Sequence, residues 1–364
     1  MKIAYFCVNI GRGGLERLLL QICSEFKANY PDIQTEVVVF KQSESDLLPE
    51  FKKHDVPVQF LNINDSNFGL PEFKLILNWL KKNKPDIVHT HSGYRMDMFI
   101  LLAAFLAGIR KRICTIHNMD QQFSIKSRIS YKVSSFLSTN IIAVSQSAKS
   151  YYEEKNFYSP KKLKVIYNCP GFLAEDVSAR NTGPSAESLI KLVNIGSLRV
   201  QKGQIYLIRA AKILQSAGIN FQLEIYGSNS FGYGDQIFDE ISSLNLSMIH
   251  YRGETSNVGE ILKNSDVLIA ASIREAMPLV VLEGISAGIP IVATDIHPHR
   301  EILHPIEGSI LVTPKDDKAI AHGIIRLIKD KELYIKYSEE AIKRSKDFSL
   351  KKTVSSHYDL YQKQ

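Results

Sequence analysis

Cysteine is scarce and scattered, with only Cys7, Cys23, Cys114 and Cys169 in 364 residues and no C-x-x-C spacing. That distribution argues against a disulfide framework or a zinc site and predicts reduced core thiols in a cytoplasmic protein. Long apolar runs are missing too. No stretch reaches eighteen apolar residues, and the opening MKIAYFCVNIGRGG breaks at glycine and arginine, so neither a membrane span nor a secretory signal is expected. No G-x-x-x-x-G-K-[ST] element occurs, which disfavours a P-loop NTPase. Excess charge is absent from the second half: residues 1–170 hold 23 Lys+Arg against 15 Asp+Glu, whereas 171–364 hold 22 against 23. The overall +7 therefore belongs to the first half. Such an excess suits a solvated basic surface, an anionic lipid surface or a phosphorylated acceptor. No aromatic-plus-basic stacking module accompanies it, so nucleic acid is not an expected partner.

What is present is alternation. Short apolar runs, KIAYFCV (2–8), EVVVF (36–40), VPVQFLNI (56–63), DIVHTH (86–91), RICTIH (112–117) and NIIAVS (140–145), are separated by stretches of helical period. The second half repeats the plan with LIKLVNIG (189–196), FQLEIYG (221–227), MIHYRG (248–253), DVLIAA (266–271), PIVATD (290–295) and ILVTP (310–314). Continuous apolar strands joined by helices predict parallel sheets buried on both faces, hence two doubly wound α/β domains. The expected division is 1–170, a linker over 171–188, a second domain over 189–345, and a final helical segment 346–364 with no sheet of its own to cover.

Open parallel sheets bind ligands beyond the carboxyl ends of their strands, so the residues there carry the chemistry. GRGGLER (11–17) follows the first strand, and Gly13 and Gly14 would let backbone N–H groups approach a ligand phosphate. The dinucleotide fingerprint fails at Glu16, and the second strand ends in Phe40–Lys41 rather than an acid, which disfavours a nicotinamide enzyme. His89, His91 and His117 close two further strands, and His117 lies at the expected mouth. Arg199 and Lys202 in GSLRVQKG precede a helix and form a candidate anion receptor.

The most informative stretch is REAMPLVVLEGISAGIPIVATD (274–295). Pro278 suits a helix start, and eight helical residues would turn Glu283 about 80° away from Glu275, so the two are not a facing acid–base pair. A better geometry has both carboxylates accepting from hydroxyls of one extended ligand. The amides of Met277, Pro278's neighbours Leu279 and Val280, and the backbone at Ala276 would then line its phosphates.

This stretch resembles the E-x7-E segment of retaining glycosyltransferases of family 4, which have the GT-B fold. GGLERLL, KPDIVHTH, TIHN, AVSQSAKSYY, GSLRVQKG, IYGS and FSLKK…YDLY follow the family's order along nearly the whole chain. The resemblance implies two Rossmann-like domains facing a cleft, with a nucleoside-diphosphate-sugar donor on the second and a glycan or lipid-linked acceptor on the first. It implies that Glu283 binds the donor ribose, Glu275 the transferred sugar, Lys202 and Arg199 the diphosphate, with Gly13 and Gly14 approaching it and His117 near the donor sugar. The final helix would cross back to the first domain. The chain departs from the pattern at Ser197, where many members have arginine, and at Asn168–Cys169–Pro170, where Asn-Gly is usual. No D-x-D occurs, so no metal or other cofactor is expected. The implied activity is metal-independent, retaining hexosyl transfer, with UDP favoured over GDP, in surface polysaccharide or glycan assembly. SIKSRISYKVSSFLS (124–138) interleaves cations with apolar residues and suits a peripheral position at a membrane. A nucleotide-sugar epimerase and a catalytically silent sugar-nucleotide-binding subunit would share the fold.

Overall fold

The computed structural model describes residues 1–11, 13–41, 47–63, 68–119, 123–171, 177–184 and 188–363. They form two units, residues 1–169 with 350–364 and residues 170–349.

Unit 1 runs β1 (Lys2–Cys7), α1 (Gly14–Asn29), β2 (Gln34–Val39), α2 (Leu47–Lys53), β3 (Val58–Phe60), α3 (Leu70–Asn83), β4 (Ile87–Thr90), α4 (Tyr94–Leu106), β5 (Lys111–Ile116), α5 (Ile125–Leu137), β6 (Asn140–Ala143), α6 (Gln146–Glu154) and β7 (Leu163–Val165). Its sheet has the order β3-β2-β1-β4-β5-β6-β7, and every pairing is parallel. The two-residue period of β1 and β2 feeds two cores. Ile3, Tyr5, Cys7, Val37 and Val39 pack on one face with α1, while Ala4, Phe6, Val38 and Phe40 pack on the other with α3 and α4. Apolar side chains on both faces are why these strands read as unbroken apolar runs.

Unit 2 runs β8 (Ile190–Ile195), a 3-10 turn (Val200–Lys202), α7 (Gln204–Ser216), β9 (Phe221–Tyr226), α8 (Gly234–Ser243), β10 (Ile249–Gly253), α9 (Val258–Lys263), β11 (Val267–Ala270), α10 (Leu279–Ser286), β12 (Ile291–Thr294), α11 (His297–Leu303), β13 (Ile310–Val312), α12 (Asp317–Lys329) and α13 (Lys331–Ser345). Its order is β10-β9-β8-β11-β12-β13, again all parallel. In each unit the strand order reverses once, between β1 and β4 and between β8 and β11. Those switch points open a crevice at the carboxyl ends of the strands.

The last helix, α14 (Leu350–Gln362), belongs to unit 1. It lies against α1 and sends Tyr361 into the core, where its hydroxyl meets the Tyr5 hydroxyl at 3.0 Å and His89 Nδ1 at 2.7 Å. Thr353 Oγ1 donates to the Tyr167 carbonyl.

Several boundaries differ from the sequence expectation. The units divide at 169/170 and 349/350 rather than at 170/171 and 345/346, because residues 346–348 continue from α13 as a 3-10 turn with Phe348 beneath the Arg344 guanidinium. Of the segment expected as a linker, 172–176 and 185–187 lie outside the described residues. Arg180 in its described part is fixed to unit 2: its N–H donates to Ser338 Oγ and its guanidinium to the Leu262 carbonyl. β7 is a seventh strand that the sequence reading lacks, three residues long, preceded by Lys161 and Lys162 and with Lys164 at its centre, which hides its pattern.

Candidate functional site

At the β8/β11 switch point of unit 2, two strand-end loops are tied together by their backbones. Ile273 N–H donates to the Gln201 carbonyl at 2.7 Å, and Gly203, at φ +66°, lies against the Ala271 carbonyl. A Cβ at 203 would overlap that oxygen, so glycine is required there by contact as well as by its left-handed backbone. Gln204, fully buried at the start of α7, donates from Nε2 to the Gly196 and Ser197 carbonyls and fixes the loop from behind.

This scaffold brings Lys202 and Glu275 together. Lys202 Nζ donates to Glu275 Oε1 at 2.6 Å, and the hydroxyl of Ser272 donates to the same oxygen at 2.7 Å. The Ser272 carbonyl accepts from Thr294 Oγ1, and the Thr294 carbonyl accepts from His299 Nδ1 at 2.7 Å. Burial raises the Glu275 carboxyl, but the charge and hydrogen bond of Lys202 with the Ser272 hydroxyl outweigh it, so the group sits below the usual carboxylate value and is ionised. Burial also pushes His299 down to about 4, which makes it a neutral support rather than a charge.

Arg199 joins this cluster from the other side of the turn. Its guanidinium lies 3.2 Å from the ring centroid of Phe231, its Nε is buried without a hydrogen-bond partner, and it feels the charge of Glu275. Arg274 also has a buried, unpartnered nitrogen, Nη1. Cationic donors left unsatisfied beside an ionised carboxylate make a surface suited to an anionic, hydroxyl-bearing ligand.

Pro278 is the N-cap of α10 rather than a residue inside its first turn, so Ala276 and Met277 precede the helix and are buried. Among the five backbone positions expected to line phosphates, the free first-turn amides belong to Leu279 and Val280; Val281 already donates to the Pro278 carbonyl. Glu283 is buried in the second turn, and its Oε1 lies so close to Gly171 that a Cβ there would clash. Glu275, in the loop before α10, and Glu283, inside the helix, thus have different neighbours: Lys202 and Ser272 for the first, Gly171 for the second.

His117, Gly13 and Gly14 belong to unit 1, where a cavity of about 380 Å³ opens at the β1/β4 switch point. Gly13 caps α1, and the Glu16 carboxylate folds back over it, accepting from the backbone N–H groups of Gly11 and Glu16. The helix terminus expected to receive a phosphate is therefore covered by the chain's own carboxylate. His117 Nε2 pairs with His91 Nδ1 at 2.7 Å, and burial lowers His117 to about 4. Asp97 accepts from Thr90 Oγ1 at 2.5 Å and from the Ser92 N–H at 2.9 Å, holding the loop after β4; burial raises it to about 6.

Ser272, Thr294, His299, Arg274, Gln204, Asp97 and Glu16 were not singled out from the sequence. Ser272 and Asp97 carried a usable signal, a polar residue within seven positions of a strand end. Among the described residues, no group of three or more His, Cys, Asp or Glu is placed to hold a metal ion.

Two family profiles match the chain in tandem, Glycosyltransferase Family 4 over residues 12–169 and Glycosyl transferases group 1 over 178–344. Together the two matches span most of residues 12–344, and the chain is a family 4-like glycosyltransferase. An Escherichia coli UDP-Gal:alpha-D-GlcNAc-diphosphoundecaprenol alpha-1,3-galactosyltransferase is 26% identical, covering 99% of this chain and 96% of its own. The Staphylococcus aureus capsular polysaccharide biosynthesis glycosyltransferase CapH is 23% identical over 99% and 98%. The crystal structure of Anabaena HepE in complex with UDP and glucose superposes with a TM-score of 0.85 at 19% identity, covering 99% of both chains. The fold of this family 4-like glycosyltransferase is GT-B.

Proposed function

We propose that this glycosyltransferase moves a hexose from a UDP-sugar to a glycan or lipid-linked acceptor in surface polysaccharide assembly, with retention of anomeric configuration and without a metal. The observation that carries the reading is the Lys202–Glu275 pair, its carboxylate three residues before Pro278, the N-cap of α10. Lys202 and Arg199 neutralise the diphosphate, Glu275 accepts from hydroxyls of the sugar, and Glu283 from the ribose. The bond from the anomeric carbon to the phosphate oxygen breaks, a bond from that carbon to the acceptor oxygen forms on the same face, and the acceptor proton passes to a phosphate oxygen of the departing UDP. Charge gathers on the leaving group, where an ammonium and helix amides stabilise it most. The names of the E. coli and S. aureus relatives support a UDP-linked donor and a polyprenyl- or capsule-linked acceptor.

The cavity of unit 1 suits the acceptor. Exposed Ile125, Ile129 and Phe136 form a stripe along α5 beside Lys126 and Arg128, and Phe105 and Leu106 are exposed at the end of α4. This surface supports a peripheral position at an anionic membrane. No helix among the described residues is long and apolar enough to cross one.

The test is a donor panel assayed with the wild type and with Glu283→Ala, together with NMR of the anomeric product. Glu283→Ala should raise the donor KM strongly while the wild type yields the retained anomer. An inverted product overturns the mechanism, and wild-type kcat/KM in Glu283→Ala overturns the site.

A further inference from the structure

Unit 1 packs four histidines together, His89, His91 and His357 buried and His117 half-buried at the cavity, and desolvation holds all four below their ordinary value, so each is neutral and carries one ring proton at neutral pH. Where those protons sit follows from the hydrogen bonds. Both ring nitrogens of His89 are engaged, Nδ1 with the Tyr361 hydroxyl at 2.7 Å and Nε2 with Thr115 Oγ1 at 2.6 Å. His91 is different. Its Nδ1 lies 2.7 Å from His117 Nε2, while its own Nε2 is buried and has no hydrogen-bond partner, with the rings of Tyr5 and His89 alongside.

A bond between two imidazole nitrogens contains one proton, which leaves two arrangements. If His117 Nε2 donates, the proton of His91 must lie on its Nε2, where a buried N–H would face no acceptor. If His91 Nδ1 donates, His91 Nε2 is a bare lone pair and the proton of His117 must lie on Nδ1. An orphaned buried N–H is among the rarest defects in proteins, so the second arrangement is favoured. We infer that His91 is a positioning residue that locks His117 as the Nδ1–H tautomer, so that His117 offers a hydrogen-bond donor to a substrate oxygen and does not serve as a base. The inference deepens the glycosyltransferase reading and rests on it for the identity of the substrate. It also supplies a physical reason why the acceptor proton goes to the donor phosphate: His117 Nε2 is occupied by His91, and Nδ1 is already protonated.

The tautomer can be read without any substrate, by ¹⁵N-histidine NMR of the full-length protein at pH 7.5 with His117→Gln used to assign the signals. The expected spectrum shows His117 protonated on Nδ1 and bare on Nε2. Protonation on Nε2 overturns the inference, whatever the enzyme's activity. His91→Leu removes the lock, and it should lower kcat or raise the acceptor KM by about tenfold, as for one lost hydrogen bond, while the Kd for UDP stays unchanged. His91→Asn can still place an N–H against His117 and should recover most of that loss with the Nδ1–H signal intact. If His91→Leu folds, keeps the Nδ1–H signal and keeps full activity, His91 is not the positioning residue. Should His91→Leu fail to fold, His91→Asn and the wild-type spectrum decide alone. Loss of UDP binding in the wild type would refute the glycosyltransferase reading and leave the tautomer result standing.

Discussion

The Lys202 ammonium and the Glu275 carboxylate form an ion pair of 2.6 Å whose two side chains are 22% and 14% exposed, and the pair sits where the order of the second sheet reverses. Each partner makes the other tolerable in a place of low polarity, and each keeps donor or acceptor capacity for a ligand. Removing either one therefore has a predictable and different result.

On the proposed reading Lys202→Met leaves the diphosphate without one of its cations, and kcat should fall about 10²–10³-fold, the range for losing one preorganised charge stabiliser. Glu275→Gln frees the ammonium, so UDP should bind at least as tightly as in the wild type while turnover collapses. Calorimetric titration with UDP separates the two. The proposal assigns the neutralising to Lys202 and the α10 amides, so it requires that EDTA leave the rate unchanged. A rate lost to EDTA and restored by Mg²⁺ would assign that role elsewhere.

Gly203→Ala and Gly218→Ala form a matched pair. Both glycines have left-handed backbones, at φ +66° and +72°, but a Cβ at 203 overlaps the Ala271 carbonyl whereas one at 218 meets open space. Gly218→Ala should cost about 1 kcal/mol in urea unfolding. Gly203→Ala should cost more, about 1–3 kcal/mol, and should also weaken UDP binding because it displaces the loop that carries Lys202. Equal effects would mean that the contact between the two loops does not matter.

Unit 1 should lose stability in mild acid. His89, His91, His117 and His357 are depressed below 6.5 in the fold, with His117 at about 4 and His357 at about 3, so the unfolded chain binds more protons as pH falls from about 6.5 towards 4. Stability present above pH 6.5 is lost through that window. Asp97, raised to about 6, and Glu16, also raised, work in the opposite sense, because their contribution is present at low pH and is lost as pH rises through their folded values. Four histidines against two carboxyls leave stability increasing with pH. Hydrogen exchange of residues 87–116 should quicken between pH 7 and pH 5 beyond the intrinsic rate, and a flat response would contradict the buried neutral cluster.

Ile129→Glu and Phe136→Glu change residues that are 55% and 78% exposed, so the melting temperature should hardly move. Binding to vesicles containing anionic lipid at low salt should fall several-fold. If both variants bind such vesicles as the wild type does, the apolar stripe on α5 is not a membrane surface.

Much of this was legible in the sequence for a simple reason. Strands buried on both faces, such as β1 and β11, are continuous apolar runs, and the residue that follows each is confined to the ligand crevice. Lys202 and Glu275, in the loops after β8 and β11, could be read that way, whereas Glu283, inside α10, was marked by the E-x7-E spacing. The supports could not. His299 lies 24 residues from Glu275 and is linked to it by hydrogen bonds through Thr294 and Ser272, a path that exists once β11 and β12 pair. The role of His91 likewise depends on β4 and β5 lying side by side, which places residues 91 and 117 at neighbouring strand ends. The covering of α1 by Glu16 escaped notice because a side chain that folds back three residues leaves no periodic trace.

The placement of α14 has a consequence for biosynthesis. Tyr5 and His89 take their hydroxyl partner from position 361, so the earlier-made unit is discontinuous in sequence, with unit 2 spliced between its parts. On the ribosome the first sheet must wait, its polar centre only half-satisfied, until some 180 further residues of another module have emerged. Completion of unit 1 must therefore follow the synthesis of unit 2, and a chain cut short before residue 350 would carry a finished unit 2 beside an unfinished neighbour.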